Sequence, residues 1–394
     1  MTDTALRRRI GLPLLTAYGV GVMVGAGIYV LVGLVAAEAG VWAPAAFLVA
    51  GAIALPTALS YAEFSTRIPE AAGEAAYVEK GLASPALGTA IGLAIVVVGA
   101  ISAAAVLRGG VGYLIGLVDI PAALAIVALG ALLTFVALVG VLESMAFAAV
   151  LTAVELVGLA LVIWAGATAA PVEAWTAPPP IPLLPVAAAA VLAFFAFIGF
   201  EDIVNMAEET DKPTVTLPRA IILSMVITTL IYIAVAAAAV RAVPADQLGA
   251  SEQPLALVLG TGAGALTLSA IAATAALNGV LAQIVMAARV LFGLGRRRPW
   301  LARFHTVHPR FGTPAVATLL LGTVVVLGAL TLPVARLAEV ASTLLLIVFA
   351  VVNAALLVLK SREPEAPFRV PGMVPILGLV LSLAALGLSL SGVA

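Results

Sequence analysis

Long apolar stretches separated by short polar loops are the feature that most constrains how this chain folds. A helix needs roughly 20 predominantly apolar residues to cross a bilayer, and the 394-residue sequence contains eleven such stretches. Their approximate limits are 12–36, 43–67, 85–114, 121–141, 144–168, 183–208, 219–242, 263–293, 314–332, 336–359 and 372–392. The loops between them leave no room for a separate soluble domain. The sequence therefore predicts an all-α polytopic membrane protein with a single transmembrane domain over residues 1–394.

The distribution of basic residues predicts the orientation of the chain. With the N-terminus inside, all but three of the 19 basic residues fall in inner loops or at inner helix ends, the exceptions being Arg108, Arg241 and Arg336. Basic residues accumulate in the cytoplasmic loops of membrane proteins. We therefore expect the inner (cytoplasmic) membrane, a cytoplasmic N-terminus and, after eleven spans, an extracytoplasmic C-terminus. Residues 71–81 are expected to form a short interfacial helix on the inner side.

The reactive side chains of the sequence argue against an enzyme. The chain has no cysteine, and its two histidines, His305 and His308, lie in one basic loop. This composition excludes thiolate metal sites and cysteine nucleophiles, and it gives no reason to expect a histidine-based catalytic or metal site. The phosphate-binding motif of ATPases is absent too. We expect no cofactor, no metal, no nucleic acid and no obligatory protein partner. The lipid bilayer is the expected surrounding of the protein.

Two of the predicted spans are interrupted by residues that weaken a helix. The first contains four glycines within residues 19–27, each of which destabilises a helix by about 1 kcal/mol relative to alanine. Residues 194–202 of the sixth combine aromatic side chains and a glycine with two carboxylates, Glu201 and Asp202. Non-helical backbone at membrane depth is tolerated where it lines a cavity or is buried in protein. An intramembrane carboxylate costs at least about 2.5 kcal/mol and marks a candidate functional site.

Breaks in the first and sixth spans are typical of transporters built from two inverted repeats of five helices. The repeats would be residues 12–168 and 183–359, with 372–392 as an additional helix. In this design half-helix N-termini face an anionic group of the substrate, and unwound carbonyls face a cation, which suits a substrate with a carboxylate and an ammonium group. Taken alone, the glycines are also compatible with close helix packing, and Glu201 with a paired structural role.

Three motifs carry a family resemblance. They are FFAFIGFEDIVNMAEETDKPTVTLPRAI at residues 194–221, GVMVGAGI at residues 21–28, and ARVLFGLGRRRPWL at residues 288–301. The third motif continues with HPRFGTPAVAT, which begins at His308. They resemble the sixth helix with its inner loop, the first helix, and the eighth helix with its loop in the amino acid–polyamine–organocation transporters. The resemblance is strongest to bacterial amino acid permeases and cationic amino acid transporter-like proteins, and it covers nearly the whole chain.

The resemblance implies the fold of the bacterial leucine transporter, with the substrate between the two broken helices. It assigns the substrate carboxylate to the amides of Gly25, Ala26 and Gly27. The ammonium group would meet carbonyls near Met23, Phe195, Ala196 and Ile198. Phe197 is a further candidate for substrate contact. In this arrangement Phe195 takes the position of an aromatic gate. The third helix would form the pocket wall near Val98, Gly99 and Ala103.

Two carboxylates are candidates for coupling transport to protons. Glu201 falls where an arginine/agmatine exchanger of the family has a carboxylate linked to proton sensing. Glu155 falls where several proton-coupled relatives have a lysine that is their proposed protonation site, so the lysine mechanism cannot be transferred. Three roles remain open for Glu155: a proton carrier, a ligand of a sodium ion, or a permanently protonated residue with no part in coupling.

Together these features predict a secondary active transporter that moves a small amino acid or related amine by alternating access, with proton coupling favoured over sodium coupling. The alternatives are an amino acid/polyamine exchanger and a non-transporting amino acid sensor on the same fold. The small apolar wall predicted on the third helix favours a neutral substrate, whereas Glu155 and Glu201 would suit a cationic one. Asn278, Gln283 and Asn353 are expected to form interhelical hydrogen bonds, and Asn278 is also a candidate for substrate contact.

Overall fold

The computed structural model describes residues 10–69, 73–140, 145–207 and 209–391, with side chains except at residue 26 and residues 145–149. The longer helices are α1 (Leu12–Ala39), α2 (Ala43–Arg67), α4 (Pro85–Ile115), α5 (Ala122–Val139), α6 (Met145–Thr168), α8 (Leu183–Phe194), α9 (Pro213–Ala242), α12 (Ala263–Arg297), α13 (Ala315–Thr331), α14 (Val334–Arg362) and α15 (Met373–Leu390). The shorter ones are α3 (Gly73–Leu82), α7 (Glu173–Thr176), α10 (Ala245–Ala250) and α11 (Pro254–Val258). Short 3-10 segments cover Gly40–Trp42, Phe195–Phe197, Glu201–Met206 and Pro299–Phe304.

The helices have the length and composition of membrane spans. Within the described ranges, nine helical stretches are long and apolar enough to cross a bilayer, and Leu12–Gly25 and Ala315–Thr331 are shorter apolar helices. One of the nine, Gly27–Arg67, joins the second half of α1 to α2, so the stretches do not correspond one to one with the predicted spans. An all-helical, multi-pass membrane architecture is confirmed. The number of eleven spans and their grouping into two inverted halves stay predictions.

Helix α5 shows why the bundle needs a lipid environment. It presents Leu124, Leu132 and Phe135 outward, each more than half exposed. A continuous apolar surface of this kind is rare on a water-soluble monomer, but it suits contact with acyl chains. This face of α5 is therefore matched to lipid.

The centre of the bundle is built from close helix contacts. Helix α4 packs against α12 and α14, and α2 packs against α9. Small residues permit these approaches: a Cβ atom built at Gly110 would lie 2.2 Å from Cβ of Ala276. The amide of Asn353 joins α14 to α2, since it accepts a hydrogen bond from the Ser60 hydroxyl (2.7 Å) and donates one to the Thr57 hydroxyl (2.8 Å). The interhelical role predicted for Asn353 is confirmed.

A buried ion cluster fastens one end of the bundle. Glu63 is fully buried on α2. Its Oε1 accepts from Arg67 Nη2 (2.7 Å), and its Oε2 accepts from Lys360 Nζ (2.6 Å) and the Val370 amide (2.9 Å). Each carboxylate oxygen thus has a charged donor, which a buried carboxylate needs. The cluster holds α14 and the segment that follows it against α2.

Helix α3 occupies the segment predicted to form a short helix beside the membrane. Near its C-terminal end Glu79 pairs with Arg297 (3.4 Å) and Arg298 (3.7 Å), and Lys80 pairs with Glu363 (3.2 Å). We call this end of the bundle, which carries Arg297, Arg298 and Lys360, the basic end.

Candidate functional site

The first helix is interrupted where the glycines predict it. Gly25 has φ 12° and ψ −160°, outside the helical range, and separates two helical halves of α1. A break leaves backbone N–H and C=O groups without their intrahelical partners. A Cβ atom built at Gly25 would meet no described atom within 4 Å. The backbone around Gly25 therefore faces open space, into which a ligand can reach.

The second break follows α8. The 3-10 turn Phe195–Phe197 leads into Ile198, which is extended (φ −59°, ψ 130°), and then Gly199, whose φ is +122°. Residues with a side chain rarely adopt this φ. A Cβ atom at Gly199 would in addition lie 2.6 Å from Val22 Cγ1. The two breaks meet at this point, and glycine is the residue that fits there.

Tyr232 of α9 links the two breaks directly. Its fully buried hydroxyl lies 2.6 Å from the Met23 carbonyl oxygen and 2.7 Å from the Ala196 carbonyl oxygen, and donates to them. Its ring packs edge-on against Phe47 and Phe197. One side chain thus satisfies carbonyls released by both breaks. Sequence reasoning missed Tyr232, although a tyrosine within an otherwise apolar span was an available signal.

A cavity lies between the broken segments and helices α4, α6 and α12. Six residues of the predicted site line it: Met23, Gly25, Gly27, Phe195, Ala196 and Ile198. The side chain of Ala26, the remaining residue predicted from the first helix, lies outside the described part of the structure. Phe195 lies on the cavity, as a gate requires. The structure thus brings together most of the residues that sequence reasoning selected from the first and sixth spans.

The third-helix wall differs in register from the expectation. Ser102 and Val106 of α4 line the cavity. Val98, Gly99 and Ala103 are buried on the same helix, outside the described lining of this cavity. A Cβ atom at Gly99 would face Ala287 of α12 at 3.2 Å. Substrate contacts by these three residues therefore stay a prediction, as does contact by Phe197, whose ring lies against Tyr232.

The cavity carries uncharged polar groups. Ser102 is buried, and its hydroxyl makes no hydrogen bond with a described residue. Thr152, Asn278 and Gln283 add a hydroxyl and two amides from α6 and α12. The Gln283 amide also donates to Asp202 Oδ2 at 3.3 Å, which confirms its predicted role between helices. Ser102 was not predicted, because the helical register that turns it inward depends on how α4 packs.

Glu155 is buried within α6. Its backbone carbonyl accepts from the Tyr29 hydroxyl at 2.8 Å. Its carboxyl oxygens have no partner within normal hydrogen-bond geometry among the described residues. The Asn278 side chain is close enough to interact with them. Asn278 also lines the cavity. Glu155 thus sits one side chain behind the cavity wall.

Glu201 and Asp202 begin the 3-10 segment after the second break. Both are more than nine-tenths buried. Glu201 Oε2 accepts from the Gly199 amide at 2.9 Å, so the carboxylate stabilises the unusual turn. Asp202 reaches the cavity through Gln283. Two adjacent acids therefore follow the broken helix, and one of them is joined to the cavity wall.

Comparison with known proteins fits this architecture. The family described as amino acid permease matches residues 10–392. The branched-chain amino acid permease BcaP of Bacillus subtilis (strain 168) is 30% identical over 405 residues, covering 96% of this chain and 87% of the relative. The methylthioribose transporter of the same organism is 30% identical, covering 93% and 84%. The vacuolar cationic amino acid transporter 4 of Arabidopsis thaliana is 28% identical, covering 89% of this chain and 63% of the relative.

The family match spans nearly the whole chain and includes both broken helices. The chain belongs to the amino acid permease family of the amino acid–polyamine–organocation superfamily.

Proposed function

We propose that this protein is a secondary active transporter that moves a small amino acid across the cytoplasmic membrane by alternating access. The observation that carries the proposal is the cavity at the meeting point of the two broken helices, where backbone groups released from both helices face one space. Discontinuous helices of this kind bind substrate in secondary transporters. Membership of the permease family supports the same function.

The backbone supplies complementary poles for a zwitterion. The amides around Gly25 and Gly27 suit a carboxylate, and the carbonyls of the opposite half-helices suit an ammonium group. The Met23 and Ala196 carbonyls already accept from Tyr232, but a carbonyl oxygen has a second lone pair. Each can therefore accept a substrate N–H without losing the tyrosine.

The cavity wall favours a neutral substrate. Among the described lining residues none carries a carboxylate or a basic group. A cationic side chain would thus lack a counter-charge in the cavity, and desolvating it would be costly. Ser102, Asn278 and Gln283 provide hydrogen bonds for a small polar side chain, and Val106 and Ile198 provide apolar contact. The similar proteins are named for branched-chain amino acids, cationic amino acids and methylthioribose, so the assay needs a broad panel.

The proposed function includes a fold, an orientation in the membrane and a coupling ion. The fold is a five-plus-five inverted repeat of the leucine transporter type, with Phe195 closing over the substrate. The N-terminus and the basic end lie in the cytoplasm, as basic loops favour, and the C-terminus lies outside. A proton gradient drives transport through Glu155 or Glu201, with sodium as the alternative coupling ion.

Uptake into proteoliposomes tests this function. Purified protein is reconstituted and supplied with radiolabelled neutral, basic and acidic amino acids and simple amines, with and without an inward proton gradient and with a sodium gradient as comparison. The proposal expects uptake of neutral amino acids that the proton gradient stimulates. Saturable binding without accumulation or exchange under any gradient would instead identify a sensor.

A further inference from the structure

Helix α3 brings a third carboxyl group to the acids behind the second break. Glu74 lies in its first turn and is 3% exposed, like Glu201. A Cβ atom at Gly73 would lie 3.2 Å from Asn205 Oδ1, which places the start of α3 directly against the 3-10 segment Glu201–Met206. Glu74 is close enough to act electrostatically on both Glu201 and Asp202. Three carboxyl groups from two separate elements thus share one buried region, which we call the acid cluster.

Basic residues of the elements around α3 are engaged elsewhere. None of the three acids forms an ion pair with a basic side chain in the described ranges. Arg67 and Lys360 bind Glu63. Other charged or ionisable groups of α4, α12 and α14 have partners of their own, namely Arg108, Tyr113, Arg297, Arg336 and Glu339, and Arg362 is exposed. Within the described ranges, no ion pair with a basic side chain neutralises the acid cluster. Arg289 of α12 lies in the surroundings of Asp202, since both act electrostatically on Tyr18.

Two buried tyrosines lie within electrostatic reach of Glu74. Tyr61 of α2 and Tyr77 of α3 are fully buried, and neither hydroxyl has a partner within normal hydrogen-bond geometry among the described residues. The charge of Glu74 acts on both of them. Their rings meet edge to face with centroids 6.0 Å apart, and the Tyr61 ring also contacts Phe200, the residue before Glu201. A phenol can donate to a carboxylate or accept from a carboxylic acid, so this lining suits either protonation state.

Burial and charge together require a proton in this region. Carboxylates that share a site cannot all be ionised, because like charges in a buried environment repel. Burial raises the pKa of Glu74 to about 7, against a partial opposing effect of its own backbone amide and of the nearby Tyr61 hydroxyl. Asp202 links the cluster to the cavity through Gln283. Glu74 thus belongs to a cluster that is joined to the cavity wall through Asp202, and it lies on a helix whose other end forms ion pairs at the basic end.

We propose that Glu74 is a further proton-binding group of this transporter, and that its protonation holds α3 against the segment Glu201–Met206. When the proton passes from the Glu74 carboxyl group to water at the basic end, the acid cluster gains a negative charge and the two elements separate. Separation opens a path behind the second break toward the basic end. The coupling of this step to transport rests on the proposed function, whereas the proton binding and the separation do not.

Thermal unfolding of the purified full-length protein tests the proton binding. A carboxyl group whose folded pKa exceeds its unfolded value binds more protons in the folded state, so stability falls as pH rises from about 4.5 to about 7. Glu74→Gln should flatten the fall in Tm across this range. Glu79→Gln, on the same helix but about one-third exposed and paired with Arg297, should keep the wild-type slope. A wild-type slope in Glu74→Gln would overturn the proposal.

Cysteine labelling tests the separation, and its decisive measurement uses protein that retains Glu74. The chain contains no cysteine, so Asn205→Cys provides one thiol at the contact between α3 and the 3-10 segment. Its maleimide labelling rate is divided by that of Thr306→Cys in an exposed loop, which corrects for thiolate formation. The ratio should rise severalfold between about pH 6 and about pH 8 with Glu74 present, and stay level when Glu74→Gln is added. A ratio independent of pH in the Glu74 background would contradict the separation.

Transport assays distinguish a failure of the Glu74 proposal from a failure of the proposed function. If the protein transports, Glu74→Gln should change the pH profile of uptake, whereas Glu79→Gln should not. An unchanged profile alongside altered labelling would overturn the coupling step. If the wild-type protein does not transport at all, the proposed function is wrong. The thermal-unfolding and cysteine-labelling experiments still test whether Glu74 binds a proton and whether the two elements separate.

Discussion

Removing one oxygen atom from Tyr232 tests how the site is organised. The hydroxyl donates to the carbonyls of Met23 and Ala196, at 2.6 and 2.7 Å, and so joins the broken part of α1 to the broken segment after α8. Tyr232→Phe keeps the aromatic ring and its edge contacts with Phe47 and Phe197. The substitution therefore removes the link between the breaks with little change in packing volume.

The expected loss follows from the burial of these groups. A buried acceptor left without its hydrogen bond costs about 1–3 kcal/mol. The hydroxyl has one hydrogen shared between two carbonyls, which places the expected cost at about 1–2 kcal/mol. If the substrate binds only when both breaks hold this geometry, that free energy is lost from binding. Affinity should then fall about 5- to 30-fold, since 1.4 kcal/mol corresponds to tenfold.

Substrate affinity is measured by calorimetry on detergent-purified protein and checked by the KM of uptake. Tyr113→Phe is the matched control, because the fully buried Tyr113 hydroxyl also donates to a carbonyl of α1, that of Tyr29, at 2.6 Å and away from the break. The control should lower Tm but change affinity by less than about twofold. Equal losses of affinity in both variants, or none in Tyr232→Phe, would refute this account of the site.

Three further substitutions examine other parts of the structure. Gly199→Ala adds a methyl group at a φ of +122°, 2.6 Å from a neighbouring side chain, and should cost at least about 1–3 kcal/mol in thermal melts. Gly387→Ala, inside helix α15 and in open surroundings, should be neutral or stabilising by up to about 1 kcal/mol. Glu63→Gln leaves two basic partners unneutralised and should cost about 3–5 kcal/mol, whereas Glu339→Gln, which breaks a more exposed pair, should cost under about 1 kcal/mol. Glu155→Gln should abolish the pH dependence of uptake if Glu155 carries the proton, and a variant with unchanged uptake and pH dependence would assign it a structural role.

The helices were largely predictable because hydropathy and helix length are local properties. The predicted span 43–67 coincides with α2, and 12–36 and 336–359 fall within α1 and α14. Both breaks were predicted as well, since glycines and carboxylates inside an apolar run are visible in the sequence. The sixth span differs more, because after Phe194 it continues as 3-10 segments in place of an α-helix.

The inward-facing residues of the intact helices were less predictable. On α4, the residues lining the cavity are Ser102 and Val106, where Val98 and Ala103 were expected. An almost uniformly apolar helix has no polar face, so its rotation is set by its neighbours and is not encoded locally. The same holds for Tyr232, whose function depends on the positions of two carbonyls far away in sequence. The proximity of Glu74 to the acids behind the second break likewise exists only once α3 packs against the 3-10 segment.

Counterflow tests the central claim most directly, because it needs no assumption about the coupling ion. Proteoliposomes are loaded with an unlabelled neutral amino acid and diluted into a trace of the same compound in labelled form. We predict a transient accumulation of label above equilibrium in liposomes containing the wild-type protein, reduced at the same trace concentration with Tyr232→Phe. Saturable binding of the amino acid with no accumulation in loaded liposomes would contradict transport by alternating access.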